Sequence, residues 1–309
     1  MYSFFFTSSK IFPKYYILYD NSDMAKKRKR KINYFHLLIV ILVPVLIIGV
    51  LCYGVHVVLT PKEEVKEVKV EKKKKNEPTI EALLKHSLEP IGSTMYIWGG
   101  GWNKADTGAG KEAKTIGVSK QWKTFYQSQD ENYDYTQYEY QIHDGLDCSG
   151  FIGWAVYNTM ETKNDQIGYV TASGNIPSLY QEKGFGTVTS SMDVKDCKPG
   201  DIMANDEHVY MVLGQYSDGS ILLIHSSPPG VRIAGTPSKD GNVNSKAVVT
   251  AKEIMAKEYP EWYAKYPDCT ADYSFLTSYD QFRWNSKTMK DAKKIQKLSA
   301  RQIVHLLFD

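Results

Sequence analysis

From Leu37 to Leu59 the chain runs for 23 consecutive residues without a formal charge, rich in Leu, Ile and Val. That run exceeds the roughly 20 residues a helix needs to span a hydrocarbon core. It divides the chain into a segment suited to lipid and a C-terminal bulk that must fold on its own. Pro44, Gly49 and Gly54 are tolerable inside such a helix. Residues 26–31 read KKRKRK, and cationic flanks tend to stay cytoplasmic, which places the C-terminal bulk outside. A cleaved signal peptide is the rival reading. Its apolar region is shorter and ends at a small-residue site, which Val57-Val58-Leu59-Thr60-Pro61 does not supply. The expectation is a short cytoplasmic segment (1–34), a transmembrane signal anchor (35–59) and a charged Lys/Glu/Val linker (60–78). The protein is thus expected in the cell membrane as a single-pass chain with its folded part extracytoplasmic.

Charge distribution narrows the function classes. Residues 1–75 carry 15 Lys/Arg against 6 Asp/Glu, leaving 23 against 29 in the rest. The folded part is acidic, whereas a nucleic-acid surface would cluster its Lys and Arg there, so no nucleic-acid partner is expected. The four cysteines, Cys52, Cys148, Cys197 and Cys269, form no CxxC pair, and no His stands at zinc-finger spacing. No metal or organic cofactor is implied. Cys197 and Cys269 remain a conceivable pair in an oxidising compartment.

Chemistry concentrates in two segments. The first is Gly145-Leu146-Asp147-Cys148-Ser149-Gly150-Phe151-Ile152-Gly153-Trp154. The apolar spacing Ile152, Ala155, Val156 and Met160 predicts a helix with one buried face, opened by Cys148. Free N–H groups and the positive end of the macrodipole at that position favour a thiolate. A cysteine at a helix start is, taken alone, more often an inert core residue. The second segment, 198–214, is a turn leading into Val209-Tyr210-Met211-Val212-Leu213. Period-two alternation puts His208, Tyr210 and Val212 on one face and Val209, Met211 and Leu213 on the other. A second strand, 221–226, carries His225. A hairpin centred between Gly214 and Gly219 sets His208 directly opposite His225, so that one imidazole orients the other. A thiol, an imidazole to take its proton and a third group to hold that imidazole are what nucleophilic catalysis requires.

Asp-Cys-Ser-Gly-Phe, then Gly-Asp-Ile and His-Val-Tyr-Met-Val, then a His after an apolar strand, resembles the NlpC family of cell-wall cysteine peptidases. Tyr96-Ile97-Trp98-Gly99-Gly100 matches that family's upstream signature of an aromatic before Trp-Gly-Gly. The resemblance covers roughly residues 90–231. It implies an α+β, papain-like (NlpC-type) core over 79–245, with a helix-borne Cys packed on an antiparallel sheet. The implied activity is hydrolysis of peptidoglycan stem peptides at the bond between γ-D-glutamate and a diamino acid. Cys148 is then the nucleophile, His208 the general base and His225 the orienting third member, while Tyr96, Trp98, Asp147 and Ser149 line the substrate cleft. Asp147 is suited to a free amine on the stem. The backbone N–H of Cys148 is the natural oxyanion donor. A Cys-dependent wall amidase and a wall-binding pseudoenzyme or tether are the alternatives.

The chain departs from the family in an insertion near 102–143, where Tyr133, Tyr135, Tyr138 and Tyr140 alternate with acidic and amide residues. These rings either rim the cleft or pack on the core. Residues 246–309 read as an extension packed on the catalytic domain. Within it 252–266 favours a helix, and 299–308 reads as a final helix with a Ser299/Gln302 capping box and an Ile303, Leu306, Leu307 stripe.

Overall fold

The computed structural model describes residues 38–39, 42–48, 50, 77–160 and 167–309. The chain divides into two compact units, Met1–Lys73 and Lys74–Asp309. In the first, the described residues are helical and their apolar side chains, Leu46 and Val50 among them, are exposed. Among the described residues no helix is long and apolar enough to cross a membrane. The predicted cytoplasmic segment and most of the predicted anchor and linker lie outside the described residues.

The second unit is a mixed α+β structure. Thr79 caps α1 (Ile80–Leu88) by accepting from the Ala82 N–H. β1 (Met95–Tyr96), α2 (Lys120–Gln127) and β2 (Gly145–Leu146) follow, and then α3 (Cys148–Met160). α4 (Ile176–Glu182) leads to β3 (Gly186–Thr189), β4 (Ile202–Ala204), β5 (Val209–Gln215), β6 (Ile221–Ser227) and β7 (Gly230–Gly235). The tail adds α5 (Lys246–Glu258), α6 (Pro260–Lys265), β8 (Asp280–Trp284) and α7 (Ala300–Phe308).

The eight strands form one sheet in the order β2-β1-β7-β6-β5-β4-β8-β3. Every pairing is antiparallel except β1 with β2. The alternation expected of β5 is observed. Val209, Met211 and Leu213 join the main core, and Tyr210 and Val212 join a smaller cluster on the opposite face with Leu223, Ala271 and Tyr279.

Three features differ from the sequence reading. Every residue of α3 is buried, not one face of it. It is the central helix, enclosed by α1, β5, β6 and the 112–114 turn, and its Gly150 and Gly153 let backbone approach where a side chain would block it. The tail, 246–309, does more than pack on the domain, since β8 is the strand between β4 and β3. Finally, the helix expected over 252–266 is two helices, because Pro260 lacks the N–H that would continue α5 and begins α6 instead. The final helix carries the expected capping box.

Asp201 and Arg283 join these elements. Asp201 is fully buried. It accepts from the Lys198 N–H at 2.7 Å, from Gln281 Nε2 at 3.0 Å and from Arg283 Nη2 at 2.7 Å. A buried carboxylate is tolerable only when paired and hydrogen-bonded in this way, so the tail's β8 neutralises the turn that precedes β4.

Candidate active site

α3 begins where the chain leaves β2. The Asp147 carbonyl accepts from the Phe151 N–H at 2.9 Å, and its Oδ1 accepts from the Gly150 N–H at 2.6 Å and from Ser149 Oγ at 2.8 Å. Asp147 thus caps the helix whose first residue is Cys148, fixing the sulfur at the helix mouth. Trp102 Nε1 donates to Ser149 Oγ at 3.0 Å, so the first residue of the insertion also holds this turn. The backbone of Gly100 and Gly101 lies directly against Gly150.

A cavity of about 380 Å³ opens over this turn. Tyr96, Trp98, Asp147, Cys148 and Ser149 all line it, which brings together the five residues that the sequence placed at a nucleophile and its cleft. Asp106 of the insertion, together with Asp206 and Glu207, makes the remaining wall acidic. Trp98 is half exposed, whereas Tyr96 is buried edge-on to Tyr135 with ring centres 5.3 Å apart.

The histidines stand at one end of the β5–β6 hairpin. His208 precedes β5, and its N–H donates to Asn205 Oδ1 at 2.9 Å. His208 Nε2 and His225 Nδ1 are 3.0 Å apart, with the rings edge to face at 83°. Direct opposition of these two residues is not observed. Met211 pairs with Ile224 and Val212 with Leu223, and the ladder is irregular between Val212 and Gly214. The register therefore differs by two residues from the expected one. A shift of two preserves the face in a structure of period two, and diagonal neighbours remain within reach of imidazole rings. The pair survives for that reason.

α3 abuts the hairpin that carries the imidazoles. Ser226 Oγ donates to the Leu146 carbonyl at 2.6 Å, tying the residue after His225 to the residue two before Cys148. The Val209 N–H favours the Cys148 anion, so the residue adjoining His208 lies near the thiol. Among the described residues no hydrogen bond joins the sulfur to either ring.

Electrostatics corrects one expectation. Burial, followed by the neighbouring Asp147 charge, pushes the Cys148 thiol up to about 12, against the backbone N–H groups of Val209, Ser149 and Cys148 itself. Local N–H groups at a helix start favour a thiolate, but loss of solvent outweighs them here. Burial and the positive charge of Arg232 lower His208 to about 3, and the same causes hold His225 well below its ordinary value. These shifts favour a neutral thiol and neutral imidazoles in the resting protein. Burial raises Asp147 to about 6, opposed by its bonds from Gly150 and Ser149.

Two site residues escaped the sequence reading. Phe275, from the turn before β8, packs on both imidazoles with ring centres 5.3 Å from His208 and 6.0 Å from His225. Arg232 on β7 pairs directly across from His225. Neither lies in a motif; an arginine inside the apolar strand 230–235 was the one available signal. In the insertion, Tyr133 and Tyr138 stack on each other at 5.5 Å and pack against Phe125, so these partly buried rings pack on the core. Tyr140 remains exposed. Cys197 and Cys269 are free and buried in separate clusters, so they form no bridge. Among the described residues no group of three or more His, Cys, Asp or Glu is arranged to hold a metal ion. No family model, no curated protein and no solved structure matches the chain.

Proposed function

We propose that this chain is a cysteine peptidase that hydrolyses peptidoglycan stem peptides, at the bond between γ-D-glutamate and a diamino acid. The observation that carries the reading is the placement of Cys148 in the floor of the acidic cleft, with the Val209 N–H near its sulfur and the adjoining His208 bonded to His225. In this reading the core is papain-like, of the NlpC type, and the anchor holds the cleft on the outer side of a membrane.

His208 spends Nε2 on His225, so Nδ1 is the ring nitrogen left to accept the thiol proton. The sulfur attacks the carbonyl carbon, and the developing oxyanion finds the Cys148 N–H at the helix mouth. His208 returns its proton to the leaving amine, water then cleaves the thioester, and the thiol is restored. Tyr96, Trp98, Asp147 and Ser149 shape the cleft for the stem. The acidic wall suits a substrate that presents an amine.

The test is digestion of purified sacculi by the wild type and by Cys148→Ala. Soluble stem-peptide fragments from wild type alone, with mass spectrometry placing the cut at the γ-D-glutamyl bond, are the expected result. Cleavage at the bond joining glycan to peptide would make the chain an amidase. The neutral resting couple favours one other reading, a tether that only binds wall; equal retention on sacculi with no fragments from either protein would establish it.

A further inference from the structure

Arg232 is buried, and its direct cross-strand partner is His225. Its Nη1 donates to the main-chain carbonyls of Ser227 at 2.5 Å and Gly230 at 3.3 Å. Its Nε has no partner, nor has Nε2 of His225, and both atoms are buried. Among the described residues no carboxylate lies within ion-pair distance of the guanidinium. The acidic side chain acting on it is the exposed Asp268, next in sequence to the buried Cys269. An unpaired interior cation is costly, and aliphatic residues of similar volume generally replace such groups without loss of stability. Its position opposite one member of an imidazole pair calls for a role in the chemistry.

We propose that Arg232 is a positioning residue of the peptidase: its unpaired guanidinium, set across the sheet from His225, holds the two imidazoles uncharged until the thiol proton is transferred, then drives that proton onto the leaving amine. The inference rests on the peptidase reading for its second half only. In the forward step the Cys148 S–H bond breaks, its proton goes to His208 Nδ1, and the sulfur electron pair forms the bond to the carbonyl carbon. When the C–N bond breaks, its electron pair stays on nitrogen and takes the proton from Nδ1. Between the two transfers an imidazolium stands near a fixed like charge in a low dielectric, which makes it short-lived and strongly acidic. The other titratable groups around the couple are Tyr96, Asp147, Asp206, Glu207 and Tyr279, with Cys269 and Asp268 acting on Arg232. Arg232 is the cation that acts on both rings.

The test reads the couple without any wall substrate. The full chain is alkylated with iodoacetamide from pH 4.5 to 10, and mass spectrometry follows the peptide containing Cys148. In the wild type the rate is expected to climb with pH without a plateau, as for a lone neutral thiol. Arg232→Met removes the cation and leaves burial, the larger cause, in place, so the imidazoles should accept the proton more readily, the alkylation profile should move to lower pH without a plateau, and the rate at pH 6.5 should rise by at least about threefold. Arg232→Lys, which keeps the cation, should retain the wild-type profile. Should Arg232→Met not fold, Arg232→Gln keeps hydrogen-bonding capacity without charge and takes its place. An uncharged variant whose profile superimposes on the wild type overturns the proposal, whatever its action on sacculi. A changed profile in a protein that never cleaves sacculi upholds the electrostatic role and removes the peptidase reading alone.

Discussion

Replacing Gly150 with Ala tests whether backbone contact beneath α3 places the sulfur. An added Cβ at this position would stand 2.0 Å from the Gly100 carbonyl oxygen and 3.0 Å from Gly101 Cα. Carbon and oxygen that are not bonded to each other settle at roughly 3.3 Å or more, so the helix mouth must retreat by about 1 Å. Both obstructing atoms are backbone, and Gly101 has φ +92°, a conformation that resists replacement. Overpacking of this kind costs about 1–3 kcal/mol. At about 2–4 °C per kcal/mol for a unit of this size, the melting temperature should fall by about 2–12 °C. Activity should fall further than stability explains, because a displacement of about 1 Å at a reacting atom costs on the order of 100-fold in rate. Thermal unfolding followed by circular dichroism gives the first quantity, and fragment release from sacculi under conditions where the variant is fully folded gives the second. A Gly150→Ala protein with wild-type melting temperature and wild-type turnover would refute the argument that this glycine contact positions Cys148.

Arg283→Ala should destabilise the protein by about 3–5 kcal/mol, because it strips Asp201 of its cation while leaving the carboxylate fully buried; urea unfolding that shows less than about 1 kcal/mol would contradict the pairing. His208 is held near 3, below its unfolded value of 6.5, so the unfolded chain binds the extra proton. Stability from this group is therefore complete above pH 6.5 and is lost as pH falls from there toward 3, at up to about 1.4 kcal/mol per pH unit. Asp147, raised to about 6 by burial, contributes with the opposite sign as pH falls from about 6 toward its ordinary value. The measurement is accordingly the difference in unfolding free energy between wild type and His208→Gln from pH 7 to 4.5, and a difference independent of pH would count against a neutral, partly buried imidazole. Trp102→Phe removes the N–H donated to Ser149 Oγ. It should cost about 1 kcal/mol and raise KM more than it lowers kcat, and unchanged kinetics would detach the insertion from the helix mouth.

Local chemistry made much of the site readable from the chain alone. A helix opening at Cys148, the two faces of 209–213, an imidazole pair separated by 17 residues and the capping box at Ser299 all follow from periodicity and from groups close in sequence. The pairing of the imidazoles tolerated a wrong register because a shift by two leaves the face unchanged. Whatever depended on partners distant in the chain was decided by the tertiary structure. Periodicity does not reveal that 280–284 enters the sheet beside β4, that Arg283 meets Asp201, or that Arg232 arrives opposite His225. The protonation of the couple belongs to the same class. The sequence of a helix start promises a thiolate from its N–H groups, but desolvation is set by everything packed around the atom, and at Cys148 that burial outweighs the local dipoles.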